Sequence, residues 1–266
     1  MIQCKKQSER DDKMEKVAFV TGGAKGIGSA IVKRLIIDGY KVAFTYNNSE
    51  EKALKLCSEM GEDCKAYKLD ITDSNAVKAV VDDIEKNFGE IQVLVNNAGI
   101  AQQALFTDIT DEMWHNMIET NLSGAFYCSR AVLKYMINRK TGKIINISSI
   151  WGETGGSCEV HYSASKAGLI GYMKHCAWRL AKVHATCNSI SCGGVDTALN
   201  DAVIDDDTLW NEIMKVTPLK KWATPLEIAK WIYFLTVVNE SCSGQDILID
   251  NGERDLNCTF IWPNFN

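Results

Sequence analysis

"KVAFVTGGAKGIG", residues 16–28, decides the fold. A short β-rich apolar run feeds a turn in which Gly22, Gly26 and Gly28 have the spacing GxxxGxG. A helical pattern then runs from Ile27 to Asp38 and stops at Gly39, as it does where a glycine takes the position after a helix end. Glycine lets a backbone turn tightly and approach a pyrophosphate closely. The N-terminus of the following helix offers unpaired N–H groups and the positive end of a dipole. Placed after a first strand and opening a first helix, the turn reads as a nucleotide-binding loop rather than a plain connection.

Outward from this turn, strand and helix patterns alternate. Further strands are predicted at 41–46, 66–69, the "IQVLVNNAG" run, 143–149, 186–191 and 246–250. Helices are predicted at 49–60 with Ser49 as cap, from Thr72 or Asp73 to about Phe88, at 111–138 with a break near the middle, at 160–182, and at 225–238 with Pro225 at its first position. Such alternation implies βαβ units. The expected fold is α/β and Rossmann-type: one doubly wound, parallel sheet of about seven strands with helices on both faces. No linker, repeat or low-complexity tract divides the chain, so one domain is expected over 16–253. It carries a substrate loop at 198–218, and polar tails are expected at 1–15 and 254–266.

Bulk properties narrow the class. Of 266 residues, 46% are hydrophobic, enough for a large core. The net charge is −5 and no basic stripe is present, so nucleic acid is not an expected partner. No apolar run is long enough to span a membrane, and the polar N-terminus does not read as a signal peptide. The ten cysteines have no CxxC or Cys–His metal spacing. No metal is expected, and reduced structural thiols in the cytoplasm are.

The second strand ends in Tyr46 and Asn47, where an acid that binds a ribose 2′-hydroxyl would otherwise stand. Lys25 lies in the glycine turn and could reach a 2′-phosphate. The missing acid and the added cation favour NADP(H). A second stretch, "ISSIWGETGGSCEVHYSASKAG" (147–168), holds Ser149, Tyr162 thirteen residues on, and Lys166 one helical turn further. That turn places Tyr162 and Lys166 on one face. Ser148 and His161 are competing candidates in the same stretch.

Together, "TGGAKGIG", "NNAG" at 96–99, Asn121 in "TNLSGAF", and Ser149 with "YSASK" resemble the short-chain dehydrogenase/reductase family over roughly residues 16–253. The resemblance implies Tyr162 as general acid, with Lys166 lowering its pKa and binding the nicotinamide ribose. It implies Ser149 as the group that orients the carbonyl, and Asn121 as the holder of a proton-relay water. It further implies cofactor contacts at Gly22, Lys25, Gly26, Ile27, Gly28, Asn47, Asp70, Ile71, Asn97, Ala98, Gly99, Val195 and Thr197, besides Tyr162 and Lys166. Where the family has Pro-Gly after its sixth strand this chain has Cys192 in "SCGGVDT", which is expected to loosen that turn.

Within the family the chain is similar to the 3-oxoacyl-[acyl-carrier-protein] reductases. That implies NADPH-dependent reduction of a 3-oxoacyl thioester to the 3-hydroxyacyl form in fatty acid biosynthesis, by a homotetramer. An acidic carrier would dock on a basic patch, for which Arg139, Lys140, Lys143 and Lys182 are candidates near the active-site rim. "IWG" and "SCEV" also resemble the elongation factor P 5-aminopentanone reductases, whose substrate is a ketone on a modified lysine. The acidic run Asp205–Asp207 suits a cationic substrate, or caps the helix that follows. A cofactor-binding sensor without turnover is the remaining alternative.

Overall fold

The structure is a computed structural model that describes residues 15–253. The expected tails lie outside the described residues, apart from Glu15. Seven strands form one sheet: β1 (Lys16–Val20), β2 (Lys41–Tyr46), β3 (Cys64–Lys68), β4 (Glu90–Asn96), β5 (Gly142–Ser149), β6 (Ala185–Cys192) and β7 (Asp246–Ile249). Their order is β3-β2-β1-β4-β5-β6-β7, and every pairing is parallel. The predicted class is therefore the observed one, with element ends displaced by a residue or two.

Alternation along the strands explains the two layers of helices. In β1, Val17 and Phe19 pack on the face covered by α3 (Ser74–Asn87), α5 (Gly124–Arg139) and α7 (Val160–Leu180). Ala18 and Val20 point the other way, toward α1 (Gly26–Ile37), α2 (Glu50–Met60) and α10 (Pro225–Tyr233). Successive strand residues face opposite sides, so a strand buried on both faces must be apolar throughout. "VAFV" meets that demand, with all four residues fully buried.

Local chemistry sets the helix ends. Gly39 takes φ +86° after α1, and the Gly39 and Tyr40 N–H groups donate to the Ile36 and Leu35 carbonyls. Asp73 caps α3 by accepting from the Asn75 and Ala76 N–H groups. Thr224 and Glu227 form a reciprocal capping box ahead of Pro225. Ser49 holds the cap position of α2 but makes no capping hydrogen bond. The predicted break in the helix at 111–138 is a π-helical turn, Glu119–Ser123, between α4 (Asp111–Ile118) and α5. It carries Asn121. Such turns widen a helix locally and recur at functional sites.

β1 leads on to β2 on one side and β4 leads on to β5 on the other, so the chain leaves the neighbouring C-terminal ends of β1 and β4 in opposite directions. A crevice opens at such a switch point. The sheet core should be unforgiving: Ile144, fully buried on the α5 face, replaced by alanine should cost about 2–5 kcal/mol. Urea unfolding of Ile144→Ala beside the parent protein measures this, and a loss below about 1 kcal/mol would contradict the packing.

Candidate active site

A cleft of about 1640 Å³ crosses the C-terminal edge of the sheet. This exceeds the roughly 300–1,000 Å³ of ordinary small-molecule sites, and leaves room for a dinucleotide beside a substrate. One half lies over β3, β2, β1 and β4, and the other over β5 and β6.

The first half is built around Thr21. Its hydroxyl accepts from the Asn97 and Ala98 N–H groups, each at 3.0 Å, and so ties the end of β1 to the end of β4. Asn97 Nδ2 donates in return to the Thr21 and Gly22 carbonyls, each at 3.0 Å. The Gly22 N–H donates to Thr45 Oγ1 at 3.1 Å. Neither Thr21 nor Thr45 was singled out from sequence; a threonine between an apolar strand and a glycine was the available signal. At Gly22 and Gly28 the turn has no room for a side chain. A Cβ on Gly28 would lie 2.1 Å from the Gly22 carbonyl oxygen, and one on Gly22, at φ +65°, 2.9 Å from Ala98 Cα. Lys25 caps α1 without a side-chain hydrogen bond, which leaves the helix N-terminus open to the cleft.

The other cofactor candidates differ in exposure. Ile27, half-buried, and Asn47, exposed, line the cleft. Asp70 is exposed, and its carboxylate accepts from the Thr72 N–H and hydroxyl. Ile71 is buried at the floor, where its side chain fills the space beside Gly124. Val195 is buried and bridges to Ala223, while Thr197 reaches over Gly26. All of these residues line one continuous cleft.

The second half gathers the four catalytic candidates. Ser149 ends β5, and its Oγ accepts from the Trp151 N–H at 3.2 Å and bonds the Tyr162 hydroxyl. Ser148 points elsewhere and donates to the Lys166 carbonyl at 3.3 Å, so it serves the backbone of α7. Lys166 is buried; its ammonium donates to the Ile147 carbonyl at 2.9 Å and lies 5.5 Å from the Tyr162 ring centre. Asn121 Oδ1 accepts from the Ile100 N–H at 2.8 Å, and its amide donates to the Ile100 carbonyl and to Ser165 Oγ. A Cβ on Gly99 would fall 3.1 Å from Asn121 Oδ1 and 3.7 Å from Lys166 Nζ, so Gly99 lets three elements converge. His161 is fully buried, finds no hydrogen-bond partner among the described residues, and does not line the cleft.

Electrostatics here follow burial. Desolvation pushes the Tyr162 phenol above its ordinary range, while the Ser149 hydrogen bond pulls weakly the other way. The lowering expected from Lys166 is outweighed: desolvation sets the net direction at the phenol, and the ammonium also donates to the Ile147 carbonyl. Burial pushes the Lys166 ammonium itself down to about 8.

Two expectations are corrected. The turn after β6 is held rather than loosened. The Gly193 N–H donates to the Ile249 carbonyl at 3.0 Å, the Cys192 carbonyl accepts from the Ile150 N–H at 3.0 Å, and a Cβ on Gly194 would overlap the Trp222 indole. The basic docking patch is not at the rim. Arg139, Lys140, Lys143 and Lys182 flank the N-terminal ends of β5 and β6, about 23 Å from Ser149 along β5. Arg139 forms a bidentate pair with Glu85, and Lys143 donates to the Thr236 and Asn239 carbonyls. The acidic run resolves as a cap, with Asp206 accepting from the Thr208 and Leu209 N–H groups to start α9 (Asp207–Val216). Sequence reading also passed over Glu159 and Gln103, which face each other in the cleft.

A glycine-rich turn at a switch point, with a serine, a tyrosine and a lysine across the cleft, defines a nicotinamide-dependent oxidoreductase of the α/β class. The short chain dehydrogenase profile matches residues 16–208, and the chain belongs to this family. It is 41% identical to an acetoacetyl-CoA reductase of Paracoccus denitrificans over 84% of this chain and 90% of that protein. It is 35% identical to the 3-oxoacyl-[acyl-carrier-protein] reductase FabG of Staphylococcus aureus over 90% and 98% of the two chains. Among solved structures, ElxO with NADP bound superposes with a TM-score of 0.85 at 33% identity, covering 91% of this chain and all of that one.

Burial of Lys166 makes stability depend on pH. With a folded pKa of about 8 against an ordinary 10.5, the unfolded chain binds the extra proton between those values, so this contribution to stability rises with pH there. Relative to Lys166→Met, the parent should gain up to about 1.4 kcal/mol per pH unit across the window. Denaturant titrations at several pH values test this, and a constant difference would mean that the ammonium is well solvated.

Proposed function

We propose that the protein reduces a ketone to a secondary alcohol with NADPH, and that the carbonyl is that of a 3-oxoacyl thioester. The observation that carries the reading is the convergence of Ser149, Tyr162 and Lys166 on one wall of a cleft whose opposite half is a glycine turn too tight at Gly22 and Gly28 for a side chain. The thioester is supported by likeness to the acetoacetyl-CoA and 3-oxoacyl reductases. NADP(H) rather than NAD(H) is supported by the exposed Lys25 on the turn, by Tyr46 and Asn47 in place of an acid, and by the NADP in the similar structure.

When bound, the cofactor supplies hydride to the carbonyl carbon. The protein's own groups handle the oxygen. Ser149 orients it by hydrogen bonding. Tyr162, kept protonated by burial, donates the proton that turns the developing alkoxide into the alcohol. The Lys166 ammonium stabilises the resulting phenolate and so keeps proton donation favourable. Asn121 braces the loop at Ile100 and the helix at Ser165, which holds the lysine end of the site in place. A homotetramer remains part of the proposal, supported by the exposed apolar side chains of Phe126 on α5 and Trp178 on α7.

A second reading, a ketone that carries an amine, is favoured by the charge of the cleft. Its cations among the described residues are Lys25 and Lys166, and its anions are Asp70, Glu159, Asp206 and Glu253. An anionic carrier would meet few cations at this rim.

Oxidation of NADPH with acetoacetyl N-acetylcysteamine tests the main reading, beside an NADH control. Turnover should drop at least about a hundredfold in Tyr162→Phe while NADPH binding is kept. It should also decline as pH rises through about 8, where Lys166 loses its proton. NADPH binding with no turnover of any ketone would overturn the assignment in favour of a binding protein.

A further inference from the structure

Among the described residues that line the second half of the cleft, one acid serves neither a helix cap nor a backbone contact. Asp206 is spent on the cap of α9, and Glu253 accepts from the Thr217 hydroxyl and the Gly194 N–H. Glu159 sits at the cap position of α7, where an acid usually satisfies the free N–H groups of a helix start. Here its side chain makes no capping hydrogen bond. It turns into the cleft instead and accepts from Gln103 Nε2 at 3.2 Å.

The backbone around it enforces that direction. Cys158 adopts a left-handed φ of +59°, which costs a non-glycine residue energy unless its surroundings impose it. The Cys158 carbonyl accepts from the Ala104 N–H at 2.9 Å, which pins this segment to the loop that carries Gln103. Glu159 lies one turn before Tyr162, close enough for its charge to act on the phenol. No described cation pairs with it, and its neighbour Gln103 is neutral. Burial raises its carboxyl above the usual range. A partly desolvated carboxylate without a counter-ion attracts whatever positive charge a substrate brings.

We propose that Glu159, presented by Cys158 and Gln103, selects ketones that carry a positive charge several bonds from the carbonyl. It does so by pairing with that charge while Tyr162 and Ser149 hold the oxygen. The proposal rests on the ketone-reductase reading of the site, but not on the thioester. Gln103 contributes a neutral amide that fixes one carboxylate oxygen and leaves the other for the substrate. A neutral acyl chain would enter the same arm without gaining this contact.

The test compares two ketones of equal shape, (5-oxohexyl)trimethylammonium and the neutral 7,7-dimethyloctan-2-one, with acetoacetyl N-acetylcysteamine as a third substrate. The permanent charge avoids cyclisation and titration of a free amine. The parent enzyme should show kcat/KM about tenfold or more higher for the cation, as a half-buried ion pair allows. In Glu159→Gln that preference should vanish through a rise in KM for the cation, with NADPH binding within about twofold of the parent. Equal rates for the two ketones in the parent would overturn the proposal. So would equal losses for both in Glu159→Gln, since Glu159 would then act only through Tyr162. Turnover of the thioester alone would also sink it. No turnover of any of the three would instead overturn the reductase reading on which it stands.

Discussion

One hydroxyl joins the two strands that open the cleft. Thr21 Oγ1 accepts the first two N–H groups beyond β4, and Asn97 returns its amide to the carbonyls of the glycine turn. The segments that leave β1 and β4 diverge at the switch point, so without this clasp they would leave polar backbone groups unpaired at the floor of a crevice. Once the clasp is in place, Gly22 and Gly28 are pressed against Ala98 and each other. The phosphate-sized hollow is then a consequence of backbone geometry rather than of any charged side chain.

The second half of the site is governed by desolvation. Lys166 is buried and donates to the Ile147 carbonyl, and Tyr162 leans over the same wall. Burial acts oppositely on the two groups, holding the phenol neutral and making the ammonium easier to discharge. Both shifts oppose charge in the cleft. In the proposed reduction, a bound carbonyl that develops negative charge would meet a proton donor already in its neutral form, and a cation whose charge has little water to screen it. The π-helical turn that carries Asn121 serves the same wall, because it brings an amide to the level of Ile100, Ser165 and Gly99 together.

Charge is divided between the two ends of the sheet. The basic residues expected to meet an acidic carrier lie at the N-terminal ends of β5 and β6, where Arg139 answers Glu85 and Lys143 answers two carbonyls. Those contacts belong to the fold. At the C-terminal end the wall near Tyr162 bears Glu159, and the rim around it bears carboxylates. The wall that holds Ser149, Tyr162 and Lys166 is thus set beside an arm whose charge differs from what an acidic carrier would favour.

Much of this was legible in the chain itself. The doubly wound sheet followed from apolar runs alternating with helical periods, and the helix ends at Gly39, Asp73 and Pro225 from capping chemistry. These signals act between residues within about one helical turn of each other, so a linear reading captures them. Tyr162 and Lys166 were legible as one helix face for the same reason, while Ser149 and Asn121 were legible only through the resemblance to the short-chain dehydrogenase/reductase family. The tertiary structure alone decided what lies opposite what. Thr21 meets Asn97 across 76 residues, Gln103 meets Glu159 across 56, and Arg139 meets Glu85 across 54. The same holds for the direction of the Tyr162 shift, where the neighbouring Lys166 favours the phenolate, burial favours the neutral phenol, and burial prevails. Pairing and burial depend on how the layers close over one another, and no local pattern records that.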